Sequence, residues 1–236
     1  MEKLELLFDG NEKQVYATDE KDKVIFRYKD VATAYGGIKR ATLRRKGIVN
    51  CGISSLLFRY LNENGIRTHY IETLNEREQV CRPIGIIPLN VAVRNYAAGT
   101  MVRRLGLEDG VKLSQTVIEL YYNNDELRDP MINSYHAVAL GIVTREEIEQ
   151  IRTEALKVNE LLGDLFEKAG IRLVDLKLEF GRSSDGEIII SDEISPDTCR
   201  LRDIKTGEVL DKDRFRHDLG GIIDAYEYVF TLLNRK

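Results

Sequence analysis

The sequence predicts an α+β fold in two unequal lobes: a small lobe at residues 1–82 built on an antiparallel sheet, and a larger α/β lobe at residues 83–236. Three observations carry this expectation. Short runs rich in β-branched and aromatic residues, separated by turn residues, dominate the first eighty positions. The pattern changes at Arg82-Pro83, where a long apolar run begins. Further on, a segment of helical period is followed at once by one that alternates with period two.

Residues 4–8, 13–17 and 23–28 are separated by Asp9-Gly10-Asn11 and by Asp19-Glu20-Lys21-Asp22, which predicts a β-meander. Residues 40–64 then place Ile53, Leu56, Leu57, Tyr60 and Leu61 at helical spacing, with Gly65 just past the end. Residues 67–72 and 79–81 predict strands that complete the small sheet. After the boundary, residues 84–93 form an apolar run interrupted by Gly85, Pro88 and Asn90.

Thr144 and Glu147 form a capping box ahead of a helix whose apolar positions Ile148, Ile151, Ala155, Val158, Leu162 and Leu165 step by three and four. Gly170 ends that helix. In residues 172–180 the period becomes two, with Val174, Leu176, Leu178 and Phe180 on one face and Asp175, Lys177 and Glu179 on the other. Ser183-Ser184-Asp185-Gly186 turns the chain and residues 187–193 return as an antiparallel partner. Residues 221–233 predict a last amphipathic helix.

Composition narrows the function classes. The chain has 236 residues, 43% hydrophobic and 31% charged, which suits a folded globular protein rather than a disordered one. A formal net charge of -4 argues against broad nucleic-acid binding. The one basic run, residues 39–46, reads as a solvated helix face or as a contact to phosphate or a partner. Cys51, Cys81 and Cys199 fit neither a disulfide framework nor a metal motif and read as reduced thiols. With no signal-peptide pattern and no run of membrane-spanning length, a cytoplasmic protein without membrane attachment is expected.

Chemistry is expected first at the hairpin. Alternation puts Asp175, Lys177 and Glu179 on one face, and any plausible register brings Asp192 near them. Like-charged carboxylates held together raise one another's pKa unless a cation intervenes, and Mg²⁺ takes oxygen ligands while leaving room for phosphates. The plainer alternative is a solvent-facing ladder of Lys and Glu. Directly after the hairpin, Ser195-Pro196-Asp197-Thr198-Cys199-Arg200 forms a turn that offers the planar fork of Arg200 to an anion. Residues 93–100 (VRNYAAGT) place Arg94 before small residues and a helix opened by Thr100, which is either a phosphate site or ordinary capping by Thr100. Gly10-Asn11-Glu12-Lys13 is a glycine-containing hairpin turn that does not match a P-loop. His69, His136 and His217 are scattered and read as structural or exposed.

Taken in register, residues 91–106 (VAVRNYAAGTMVRRLG), 124–133 (NDELRDPMIN), 174–181 (VDLKLEFG), 191–201 (SDEISPDTCRL) and 211–220 (DKDRFRHDLG) resemble the SAICAR synthetase family over essentially the whole chain. That resemblance implies a two-lobed fold with an ATP cleft between the lobes. It also implies a reaction: ATP and Mg²⁺ activate the carboxylate of carboxyaminoimidazole ribonucleotide (CAIR), and L-aspartate is joined to it as an amide.

By motif, Glu179 and Asp192 would hold Mg²⁺, while Asp175 and Lys177 would line the reacting groups. Arg94, Thr100 and Arg200 would bind the ribonucleotide with Asp197 nearby, and Gly10, Lys13 and Arg82 would face ATP. A homodimer is compatible with the family.

Departures from the family pattern also stand out. Asn11-Glu12 replaces a lysine-alanine pair. An acid is expected at Val31, Asn or Asp at Gly36, Glu at Asn90 and Lys at Asn123. The alternative they motivate is an altered or inactive homologue that serves as a ligand-binding or repurposed scaffold.

Overall fold

The computed structural model describes residues 1–235. In chain order the strands are β1 (Lys3–Asp9), β2 (Lys13–Thr18), β3 (Val24–Tyr28), β4 (Val31–Ala34), β5 (Lys39–Thr42), β6 (Tyr70–Asn75), β7 (Glu78–Cys81), β8 (Gly85–Tyr96), β9 (Lys112–Tyr122), β10 (Met131–Ile132), β11 (Ile171–Arg182), β12 (Ile188–Ser191) and β13 (Cys199–Asp203). The helices are α1 (Lys46–Glu63), α2 (Thr100–Leu105), α3 (Ser134–Ala139), α4 (Arg145–Lys168), α5 (Asp213–Arg216) and α6 (Ile222–Leu233).

One sheet runs β1-β2-β3-β7-β6 and a second runs β10-β9-β8-β11-β12, with β13 also on β11. Every pairing between these strands is antiparallel. The mixed α and β architecture is therefore as the patterning predicts. A bridge between Thr68 and Ile190, flanked by the His69 N–H donating to the Ile190 carbonyl at 2.8 Å, stitches the connection before β6 to the edge of the second sheet.

Helix α4 has the capping box expected of it, Thr144 Oγ1 accepting from the Glu147 N–H at 3.1 Å and Glu147 accepting from the Thr144 N–H at 2.8 Å. Its buried stripe is Ile148, Ile151, Ala155, Val158, Leu162 and Phe166, so the last turn points Phe166 inward and leaves Leu165 at the margin. That stripe joins one face of β8 and β11 and the inner faces of α1 and α6 in a continuous apolar cluster.

Several boundaries differ from expectation: β6 runs Tyr70–Asn75 rather than 67–72, and β12 ends at Ser191 rather than at residue 193. The helix predicted from residue 40 begins at Lys46, because residues 31–42 form the β4–β5 hairpin instead. Ala32 and Ala34 pack that hairpin on Phe215, a partner too distant in sequence to leave a periodic signal. Helix α1 then starts where the Gly47 N–H finds the Asp30 carboxylate at 2.9 Å, a carboxylate itself gripped at both oxygens by Arg77 at 2.9 Å. At α2 the N-cap is Gly99 rather than Thr100, and no side chain caps that end.

Candidate active site

Strand β11 is the axis of the site because it is hydrogen-bonded along both edges. Asp175 is in register with Arg94 on β8 and with Arg200 on β13. The result is a row across three strands in which one Asp175 oxygen accepts from Arg94 Nη1 at 2.5 Å and from Arg200 Nη1 at 2.8 Å. Arg94, 4% exposed, also donates from Nε to Glu119 at 2.6 Å, and Arg200 donates from Nε to Asp213 at 2.9 Å. Burial works against the Asp213 charge, but Arg200 and Arg216 outweigh it and hold the carboxyl at about 2. Arg200 lies directly over Gly99: a Cβ there would stand 2.6 Å from Nη2, and Gly99 has φ 58°.

Two residues along β11, Lys177 donates to Glu179 at 2.6 Å and to the Asn90 Oδ1 at 3.3 Å. Alternation therefore does place Asp175, Lys177 and Glu179 on one face, but in two groups, Asp175 among arginines and Lys177 with Glu179. Between β12 and β13 the chain leaves the sheet at residues 192–198, and Asp192 turns out of it with φ 64°, a conformation Asp tolerates. From the first sheet Lys13 reaches across to meet it, 2.5 Å from Asp192 and 2.8 Å from Glu193. Desolvation pulls against the Lys177 charge, yet the Glu179 and Asp192 carboxylates outweigh it and hold that ammonium above its usual pKa. Lys13 is raised in the same way by Asp192 and Glu193.

Beside this lies a second cluster that sequence patterning missed. Lys46 pairs with Asp197, and both side chains are almost wholly buried, at 2% and 1% exposed. Asp197 also accepts from Asn50 Nδ2 and from the Tyr226 hydroxyl, each at 2.7 Å. Glu193 accepts from Ser195 Oγ at 2.7 Å, and Lys212 donates to Glu12 at 2.6 Å. The basic run is thus no solvated helix face: its last residue is a buried counter-ion, while Lys39 and Arg40 lie on a strand. The only early signal was charge inside segments destined for burial.

Gly10 closes the β1–β2 turn by donating to the Lys13 carbonyl at 2.9 Å. Arg82 stands apart: its guanidinium donates to the Thr68 carbonyl at 3.0 Å, beside a hollow of about 330 Å³ lined by Asn62, Tyr70 and Ile189. Thr100 is exposed on the first turn of α2. Among the departures, Asn90 faces Lys177, Gly36 sits at an exposed turn with φ 64° that Asn or Asp also tolerate, and the Asn123 N–H donates to Pro88.

Oxygen donors suited to Mg²⁺ occur in two places. Glu12, Glu193 and Asp197 bring carboxylate oxygens within 4.8 Å of one another, but Lys46, Lys212 and Lys13 already neutralise them in a buried setting. Glu179 and Asp192 are likewise paired, with Lys177 and Lys13, but at 16% and 23% side-chain exposure they are reachable from outside, where a cation can replace the ammonium groups. Two carboxylates at a partly open rim fit a hard cation that keeps water and takes phosphate oxygens as its remaining ligands.

His69 is buried between Phe26 and Phe58, ring centroids 5.0 and 5.1 Å away, and neither ring nitrogen has a hydrogen-bond partner. Burial depresses its pKa to about 3; Lys13 and Arg82 push the same way and Asp192 opposes. The unfolded chain binds this proton near pH 6.5 and the folded chain does not, so stability is intact above pH 6.5 and falls as pH drops toward 3. Denaturant unfolding at pH 7.0 and pH 4.5 should show a loss of roughly 1.4 kcal/mol per pH unit from this residue, and His69→Leu should remove that component. An unchanged slope in His69→Leu would contradict the assignment.

A sequence profile described as SAICAR synthetase matches residues 6–232. The chain belongs to the SAICAR synthetase family. It is 55% identical, over 100% of both chains, to a phosphoribosylaminoimidazole-succinocarboxamide synthase of Clostridium botulinum (strain Eklund 17B / Type B). It is 54% identical to the protein of that name from Clostridium perfringens, over 98% of this chain and 97% of the other. The crystal structure of the Ehrlichia chaffeensis synthase superposes with a TM-score of 0.96 at 44% identity, covering 98% of each chain. A SAICAR synthetase in complex with ADP superposes with a TM-score of 0.94 at 46% identity, covering 98% of this chain and 97% of that one. Among the described residues no helix is long and apolar enough to cross a membrane.

Proposed function

We propose that this chain is an ATP-dependent carboxylate-amine ligase that joins L-aspartate to the carboxylate of CAIR, giving SAICAR, ADP and phosphate in purine biosynthesis. The observation that carries the reading is the ion pair of Lys13, from the first sheet, with Asp192 just past β12, near enough to the Lys177–Glu179 pair on β11 for Asp192 to raise the Lys177 pKa, in a chain of this family. Phosphoryl transfer needs little covalent help from a protein; it needs positioned cations where charge develops. Lys13 and Lys177 are held protonated at neutral pH by the carboxylates around them, and can move onto phosphate oxygens when a nucleotide enters.

In this reading residues 1–82 cover the nucleotide and residues 83–236 carry the substrate site. Glu179 and Asp192 would hold Mg²⁺, which supplies charge neutralisation at the transferred phosphoryl group. Gly10 and Lys13 belong to the turn over ATP, and Arg82, which stands apart from them, is assigned to the nucleotide as well. Arg94 and Arg200, aligned by Asp175, form the anchor for the ribonucleotide together with Thr100, and Asp197, buried against Lys46, supports the site from beneath. Asp175 and Lys177 border the carboxylate that becomes the acyl phosphate and then the amide. A cytoplasmic location and a homodimer accompany the proposal.

The exchanges at Asn11, Glu12, Val31, Asn90 and Asn123 motivate the competing reading of a repurposed scaffold, but full-length identity to named synthases favours the ligase. Purified chain with CAIR, L-aspartate and Mg-ATP should release ADP in a coupled assay at a rate requiring all three. Folded protein that shows no turnover at millimolar ATP would count against the ligase and for the scaffold.

A further inference from the structure

We propose that Glu12 is a positioning residue that keeps the β1–β2 turn seated beside the nucleotide, a role that rests on the ligase reading above. Charge alone suggests the opposite, since an acid next to Lys13 should repel a triphosphate. The geometry turns its carboxylate elsewhere. Oε1 accepts from Lys212 Nζ at 2.6 Å, from Thr33 Oγ1 at 3.1 Å and from the Thr33 N–H at 3.3 Å, while Oε2 lies 3.7 Å from Lys46 Nζ. One side chain therefore touches β4, the start of α1 and the segment leading into α5.

The other bonds of the turn stay within the first sheet. Gly10 donates to the Lys13 carbonyl at 2.9 Å, and Lys29 reaches the Gly10 carbonyl and Asp9, each at 2.8 Å, while its N–H donates to the Glu12 carbonyl. Two side chains of the turn cross to the second half of the chain: Lys13, to Asp192 and Glu193, and Glu12, to Lys212. In the proposed reaction Lys13 exchanges its carboxylates for phosphate oxygens. Glu12 has no such exchange to make, because neither Lys212 nor Thr33 is assigned to the phosphates. It stays bonded while Lys13 changes partners, and so holds the turn at the point where a second lysine is replaced by the exposed Asn11.

The test is titration of wild-type, Glu12→Ala and Glu12→Gln chains with Mg-ATP, alongside steady-state kinetics and thermal unfolding. Glu12→Ala should raise both the Kd and the KM for Mg-ATP about tenfold, equivalent to about 1.4 kcal/mol, with kcat within about twofold and the KM values for CAIR and L-aspartate unchanged. Glu12→Gln keeps the Thr33 bonds and loses the charge, so its shift should be smaller, about threefold. Unchanged or tighter Mg-ATP binding in Glu12→Ala overturns the proposal, as does a lowered Tm with nucleotide affinity intact. A wild-type chain that binds Mg-ATP without ligase turnover overturns the ligase reading alone, because the titration still reports on Glu12.

Discussion

Asp192→Asn is expected to lower kcat/KM for SAICAR formation by roughly a thousandfold while leaving the fold intact, and Glu179→Gln is expected to do the same. Asparagine tolerates the left-handed backbone at φ 64° as aspartate does, so the substitution removes charge without straining the turn. Lost with the charge are one of the two counter-ions of Lys13, part of the field that keeps Lys177 protonated, and one oxygen donor at the rim where a hard cation would sit. The loss should appear mainly in kcat, because the charge it stabilises develops in the transition state. Raising Mg²⁺ should recover more activity in the variant than in wild type. Activity within about tenfold of wild type, from a variant with unchanged Tm, would place the phosphoryl chemistry somewhere other than beside β11.

Lys46→Met is expected to destabilise the chain by about 3–5 kcal/mol, because it leaves the Asp197 carboxylate charged and buried without its ion-pair partner. The Asn50 amide and the Tyr226 hydroxyl would remain on Asp197, and neither is a charge. Desolvation raises the Asp197 pKa, and in the intact protein Lys46 and Lys212 outweigh it and drive it well below the usual carboxylate range. In Lys46→Met only Lys212 and the Tyr226 hydroxyl are left to offset burial, so the carboxyl takes a proton more readily and the penalty should shrink on acidification. Urea unfolding of the variant and of Lys46→Met/Asp197→Asn at pH 7 measures this, and the double variant should recover part of the loss. A single-variant cost below 1 kcal/mol would mean that the pair is solvated and only loosely held.

The two predictions draw on clusters that differ in how readable they were. Lys177 and Glu179 stand out in sequence because a charge at every second position of a β-rich run breaks the pattern of a core strand. Asp192 was legible only as a neighbour of that hairpin: the returning strand expected to reach residue 193 ends at Ser191, and Asp192 turns out of the sheet just past it. Lys46, Asn50, Lys212 and Tyr226 carry no such mark: each lies in an ordinary amphipathic or turn segment, and their common destination at Asp197 depends on contacts spanning much of the chain. Likewise Ala32 and Ala34 give no strand signal without Phe215 beneath them, so the helix expected from residue 40 gave way to a hairpin and began only where Asp30 could accept from the Gly47 N–H.

By itself the sequence determined the alternating faces of β11 from Asp175 onward, the capped amphipathic helix α4, the mixed α and β architecture and the family, because period, capping and turn chemistry are local and act within a few residues. A register shift before Asp175 puts Leu173 in the apolar cluster in place of Val174. Only the tertiary structure decided which charges meet: that Asp175 is shared by two arginines, that Lys13 crosses to Asp192, and that Glu12 turns toward Lys212 rather than toward the nucleotide. Those pairings depend on strand register and on the docking of one sheet against the other, and electrostatic energy depends on distance and burial, which spacing along the chain does not set.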